Sequence, residues 1–206
     1  MNSPITLQSL PLFPLHTVLF PDGYMALRVF EVRYLNMVRC CRETGAPFGV
    51  VALTKGHEVL QAGAQSEQLH PVGTLATITS VEPLGTGLDL VHCKGSDRFQ
   101  IQHARKLKYG LWVADVALLP PDRATPIPED LRHTAVALTQ VMRKVPQRHY
   151  QDAKPANFED CGWVANRWSE LLPMPDTTRR QLLQLDSPLL RLELVTDALE
   201  RAGIVS

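Results

Sequence analysis

The chain lacks charge of one sign. Lys plus Arg and Asp plus Glu both number 21, so the formal net charge is zero. Up to Leu119 there are 10 basic and 9 acidic residues, and the remainder holds 11 and 12. Phosphate-backbone binding draws on several clustered cations, so this balance argues against a nucleic-acid partner. The densest basic stretch, Arg105-Lys106-Leu107-Lys108, is short and is expected to be a solvated strand end or turn. No apolar run approaches the length that crosses a bilayer, and the first cation is Arg28, so no charged leader region is spelled out. The expectation is a soluble, cytoplasmic protein with no membrane partner. Cysteine is scarce: Cys40 and Cys41 are adjacent, Cys93 and Cys161 stand alone, and no CxxC pair exists. Neither a zinc knuckle nor a thioredoxin-like redox site is encoded, and reduced, partly buried thiols are expected.

Enzyme signatures are missing as well. No two glycines stand five apart, so no phosphate-cradling P-loop can form. Gly85-Thr86-Gly87 is a bare GxG in a turn, and there is neither a GxSxG elbow nor an HExxH helix. His92 and Cys93 project to opposite faces of a strand and cannot readily share an ion. Ser96-Asp97 has no histidine base within local reach. No catalytic residue, cofactor site or metal site is therefore assigned.

What is present divides at a run of prolines. Residues 1–119 alternate with period two. Phe99, Ile101 and His103 face away from Gln100 and Gln102, and Trp112, Ala114, Val116 and Leu118 face away from Val113, Asp115 and Ala117. Strands are expected at Leu7–Leu15, Met25–Val29, Phe48–Thr54, Val72–Glu82 and Leu88–Lys94 as well. Leu84-Gly85-Thr86-Gly87 is expected as a hairpin turn, and Gly95–Arg98 as turn-like. About seven short strands suggest a closed or nearly closed antiparallel barrel. One helix interrupts them from Phe30 to Glu43, with Phe30, Tyr34, Leu35, Val38 and Cys41 on its apolar face and Arg33, Asn36, Arg39 and Arg42 opposite. Gly45 is placed to cap it and Pro47 to stop it.

Four prolines between Pro120 and Pro128 mark a stiff connector, and residues 129–206 turn helical. Leu131, Ala135, Leu138, Met142 and Val145 form one stripe. Asn157 is placed to cap a second helix carrying Cys161, Val164, Ala165, Trp168 and Leu172. Asp176 opens a short third helix. Ser187-Pro188 opens a last one carrying Leu189, Leu192, Val195 and Leu199.

The remaining candidate for function is Glu31-Val32-Arg33-Tyr34. Glu31 complements a helix N-terminus. Arg33 and Tyr34 could anchor a partner, since both residue types are favoured at binding hot spots, or could lock the helix to the strands.

Several stretches resemble a known family. Leu10-Pro11-Leu12-Phe13-Pro14-Leu15, Val18-Leu19-Phe20-Pro21-Asp22-Gly23 and Leu27-Arg28-Val29-Phe30-Glu31-Val32-Arg33-Tyr34 resemble the start of the N-terminal domain of the Lon proteases. Phe48-Gly49-Val50-Val51, Val72-Gly73-Thr74-Leu75-Ala76 and Lys94-Gly95-Ser96-Asp97-Arg98-Phe99-Gln100-Ile101 follow in the family's order. Asp22 lengthens the turn where the family often has Pro-Gly directly. The resemblance implies an α+β fold: a PUA-like pseudo-barrel with one inserted helix, then a small helical bundle. It also implies a module that binds unfolded or partner polypeptides and could serve a separate protease. Phe30, Glu31, Arg33, Tyr34 and Arg98 are its candidate partner-binding residues. Because the chain ends at Ser206 without an ATPase module or a Ser-Lys peptidase domain, a non-catalytic protein is expected. PUA-like barrels elsewhere bind RNA, and that is the alternative; a small-ligand enzyme is a third reading. The oligomeric state is left open.

Overall fold

A computed structural model describes residues 4–58, 67–144 and 152–205. The chain forms two compact units, Met1–Pro120 and Pro121–Ser206.

The first unit holds strands β1 (Thr6–Leu15), β2 (Tyr24–Val29), β3 (Phe48–Lys55), β4 (Gln68–Gly85), β5 (Leu88–Lys106) and β6 (Trp112–Leu118), with helix α1 (Val32–Thr44) between β2 and β3. The sheet order is β2-β5-β4-β3-β1-β6, and an additional β5–β6 pairing closes it into a ring. Closure depends on the length of β5. Its first half pairs with β2, from Tyr24 opposite Lys94 to Val29 opposite Asp89. Its second half pairs with β6, from Phe99 opposite Leu118 to Lys106 opposite Trp112.

Three expectations are corrected here. Gly95–Arg98 is not a turn but the middle of β5, so two expected strands are one. Gly95 lies against Phe20, whose carbonyl oxygen occupies the space a Cβ would need. Backbone bonds fasten the contact: Asp22 N donates to Gly95 O at 3.0 Å and Gly95 N to Gly23 O at 2.8 Å. The sheet is mixed rather than antiparallel, since β1 runs parallel to β3, from Leu12 beside Gly49 to Leu15 beside Ala52. A parallel neighbour requires a long crossover, which β2 and α1 supply. Finally, α1 begins at Val32, leaving Phe30 outside it, and buries Arg33, Tyr34, Met37, Val38 and Cys41. Gly45 ends it in the left-handed conformation at φ 68°, as its position predicts.

Residues separate into two apolar clusters. Leu10, Leu12, Val51, Leu75, Phe99, Ala114 and Val116 form one. Phe13, Leu15, Val29, Phe48, Val50 and Val91 join the buried face of α1 in the other. With both faces covered, Phe48–Leu53 of β3 is continuously buried. The motif glycines serve the first cluster. The Phe99 ring lies so close to Gly49 and Gly73 that a Cβ at either would sit 2.7 Å or 2.5 Å from Phe99 Cζ. Three separate sequence motifs thus meet at one ring.

The second unit holds α2 (Arg132–Met142), α3 (Cys161–Leu171), α4 (Asp176–Gln184) and α5 (Pro188–Arg201). Helix α3 is central: Cys161–Ser169 is wholly buried, and α2, α4 and α5 all pack on it. Leu138 and Met142 of α2 and Leu192, Val195 and Leu199 of α5 are buried as expected, while Val145 lies outside the described residues. Asn157 does not cap α3. The chain first makes a 3₁₀ turn over Pro155–Glu159, and Asn157 Oδ1 accepts from Lys154 N at 2.7 Å within it. Asp160 caps α3 instead, accepting from Trp163 N at 2.9 Å. Ser187 caps α5 by accepting from Leu190 N.

The prolines after residue 120 are bound into this unit. Asp160 Oδ2 accepts from Thr125 N at 2.8 Å, Ile127 is buried, and Asp122 pairs with Arg191. Arg191 is almost wholly buried. It donates to Asp122 Oδ2 at 2.5 Å, Asn166 Oδ1 at 3.1 Å and Leu182 O at 3.0 Å, and also to Leu185 O. One guanidinium therefore joins the proline segment, α3 and the end of α4.

Candidate functional site

Helix α1 is entered through Glu31, whose extended backbone (φ −76°, ψ 132°) turns the chain from β2 onto the helix. Its carboxylate does not cap the helix; it pairs with Arg33, with Oε2 3.1 Å from Nη2. Arg33 was expected on the outer face, yet it is only 7 % exposed. Its Nη1 donates to Gly110 O at 2.6 Å and its Nη2 to Glu58 O at 3.3 Å, and the guanidinium lies 4.4 Å above the Tyr34 ring. Both carbonyls are distant in sequence, so the arginine holds α1, the β5–β6 turn and the segment just after β3 together.

Tyr34 is buried and stacks on Phe13 with ring centroids 4.2 Å apart. Burial holds its phenol well above the ordinary tyrosine range, against the opposing pull of Arg33. Of the two roles open to Arg33 and Tyr34, these contacts are those of residues fixing α1 to the sheet. Arg98 is buried on β5 and lines neither of the two hollows described below.

The exposed neighbours of this pair are different. Phe30 is 53 % exposed and Val32 71 %. Across from them the chain after β5 turns back through Leu107–Leu111, with Leu107 N donating to Leu111 O and Gly110 N to Leu107 O, both at 2.8 Å. Gly110 takes a left-handed φ of 81° there, and Tyr109, beside it, is 86 % exposed. Between the two lies a groove of about 790 Å³, walled chiefly by Phe30, Val32, Met37, Leu107, Tyr109 and Leu111. Glu31, Arg33 and Asn36 contribute its polar edge. A second hollow of about 340 Å³ shares Phe30 and Glu31 and reaches Tyr34.

Of the sequence candidates, then, Phe30, Glu31 and Arg33 share the larger groove, Tyr34 lies behind it, and Arg98 is elsewhere. Sequence reasoning missed Asn36, Leu107 and Tyr109, and gave Val32, inside its candidate stretch, no role of its own. A detectable signal existed: large apolar residues flank a Lys-Tyr-Gly turn, where polar ones are usual.

The described residues lining the groove are mainly apolar. Burial pushes the Cys93 thiol up to about 12 and, with Asp160 nearby, the Cys161 thiol up to about 11, so both stay protonated. Cys40 on the groove wall is exposed. Among the described residues no group of three or more His, Cys, Asp and Glu could hold a metal ion, and no helix is long and apolar enough to cross a membrane. The short basic stretch is divided among local partners. Arg105 donates to Ser9 Oγ at 2.8 Å, and Lys106 Nζ lies 2.6 Å from Glu67 Oε2.

Comparison with known proteins agrees with this architecture. A crystal structure of a Lon N-terminal domain protein from Xanthomonas campestris is similar over 93 % of this chain and 98 % of its own, with a TM-score of 0.72 and 32 % identity. The N-terminal domain of a Mycobacterium avium complex Lon protease shares the fold, with a TM-score of 0.61 at 17 % identity over 92 % of this chain and 97 % of that one. A LON peptidase N-terminal domain and RING finger protein of Schizosaccharomyces pombe is 28 % identical over 222 aligned positions. Those cover 90 % of this chain but only 44 % of that protein, so the chain spans less than half of its length. Residues 9–201 match the family described as the ATP-dependent protease La (LON) substrate-binding domain, and the chain belongs to that family.

Proposed function

We propose that this chain is a non-catalytic module that binds unfolded or partner polypeptides. The observation that carries the reading is the apolar groove between the start of α1 and the β5–β6 turn, where Phe30, Val32, Leu107 and Tyr109 expose apolar surface together rather than singly. Large apolar and aromatic residues clustered around a concave surface are what a desolvated side chain needs as a receptor. Membership of a substrate-binding family supports the same reading. Phe30 is proposed as the main contact. Arg33 and Glu31 act beneath it by fixing the walls, and the reading gives no contact role to Arg98.

Fluorescence anisotropy with labelled β-casein, a largely unfolded protein, tests this. Phe30→Asp and Tyr109→Ser are expected to weaken binding by about tenfold or more, since truncated hot-spot residues commonly cost 2 kcal/mol or above. Both positions are surface exposed, so the unfolding midpoint should hold. Undetectable binding by the unaltered chain, or binding by both variants as tight as that of the unaltered chain, would overturn the reading. Casein cleavage by the chain with ATP would contradict its non-catalytic part.

A further inference from the structure

The groove poses a hydrogen-bonding problem for the occupant just proposed, and one side chain on its wall answers it. A polypeptide laid against apolar walls surrenders water from its N–H and C=O groups, and each amide left unpaired costs about 1–3 kcal/mol. Few wall groups can replace that water. The two Nη groups of Arg33 are committed to Gly110 O, Glu58 O and Glu31, its remaining Nε is buried out of an occupant's reach, and the Glu31 carboxylate is paired with Arg33 in return. Asn36 is uncommitted. It stands on α1 one turn beyond Val32 and one turn before Cys40, on the face that lines the groove. Its residue is exposed, and its carboxamide makes no hydrogen bond among the described residues.

A carboxamide presents an acceptor oxygen and donor hydrogens in one plane, matching the N–H and C=O of a peptide backbone. We infer that the Asn36 carboxamide pairs with a backbone amide of the bound segment, so that the groove takes extended polypeptide in preference to other apolar solutes. The inference rests on the polypeptide-binding reading and adds its selectivity. A helical segment satisfies its own amides and gains nothing from Asn36, whereas an extended one gains a donor and an acceptor at once. Recognition then reads the backbone and the apolar character of a neighbouring side chain, and requires no particular sequence. A charged residue at the same place would offer only one half of the pair.

A double-mutant cycle tests it, using a labelled peptide of alternating leucine and serine and the same peptide N-methylated at its leucines. Asn36→Ala is expected to weaken binding of the parent peptide about tenfold, the effect of one to two neutral hydrogen bonds. N-methylation should weaken binding to the unaltered chain by a similar factor and leave binding to Asn36→Ala little changed, because the lost bond is the same one. Independent losses that multiply in the combined case would overturn the inference. Phe30→Asp separates the two proposals: it should weaken both peptides alike. Peptide binding that responds to Phe30→Asp but not to Asn36→Ala leaves the groove in place and sinks the backbone pairing. Binding indifferent to Phe30→Asp overturns the groove reading, and the inference with it.

Discussion

In the first unit Phe99 packs against two glycines in one core cluster, and the buried Arg33 ties α1 to two loops. In the second unit the central polar group is Arg191, in contact with three separate segments at the heart of the helices. The core around Phe99 is thus set by steric fit, with small residues placed where a ring must pass. The second unit has at its centre a cation whose partners arrive from elsewhere in the chain. A buried charge is costly to orphan, and a tight apolar contact is costly to overfill, so the two units should fail differently.

The largest expected effect comes from removing the cation. Arg191→Ala leaves Asp122 and two carbonyls without their donor and should destabilise the second unit by about 3–5 kcal/mol. Trp163 and Trp168 lie in that unit and Trp112 in the first. Urea unfolding of single-tryptophan versions would show whether the loss is confined to the helical signal. An equal loss at Trp112 would mean that Arg191 does not serve the second unit alone.

Next in size is Gly73→Ala. The new Cβ would meet Phe99 Cζ at 2.5 Å and Val50 O at 2.6 Å, and the second of these is backbone that cannot turn aside. A cost of about 1–3 kcal/mol is expected, in the range of core overpacking. Phe99→Leu should relieve only part of it, because the carbonyl contact survives. Full rescue would mean that the ring alone sets the glycine requirement.

The smallest effect concerns pH. Burial alone would raise the Glu67 carboxyl, but hydrogen bonds from Lys106 Nζ at 2.6 Å and Trp112 Nε1 at 2.7 Å outweigh it and hold the group below the usual carboxylate range. A folded-state pKa below the unfolded one adds stability above the ordinary glutamate value of about 4.3, lost as pH falls through the folded value. Glu67→Gln should therefore cost about 1 kcal/mol at neutral pH. It should also flatten the acid limb of the stability curve. An unchanged acid limb would remove the pairing from the account.

The same contrast explains what could be read in advance. Strands were expected within a few residues of β1–β4 and β6, β5 was expected as two, and the hairpin at Thr86-Gly87 and the cap at Gly45 followed from glycine placement. The ring faces of β6 came out as the alternation predicts, with Trp112, Ala114, Val116 and Leu118 in one cluster. The parallel β1–β3 pair and the unbroken β5 were not legible, because both depend on which distant strand lies alongside. Arg33 looks solvent-facing by helical spacing, yet its carbonyl partner Gly110 stands 77 residues away. Arg191 was hidden for the same reason, its carboxylate lying 69 residues off. The groove was half legible: Phe30, Glu31 and Arg33 were singled out, but the facing wall at Leu107 and Tyr109 is supplied by the fold.

Residue-resolved NMR of the full chain, titrated with unlabelled β-casein, tests whether the groove is the binding surface. Shift changes are expected to concentrate on Phe30–Cys40 and Leu107–Leu111 in the first unit. Changes confined to the second unit, or spread evenly over both, would contradict it.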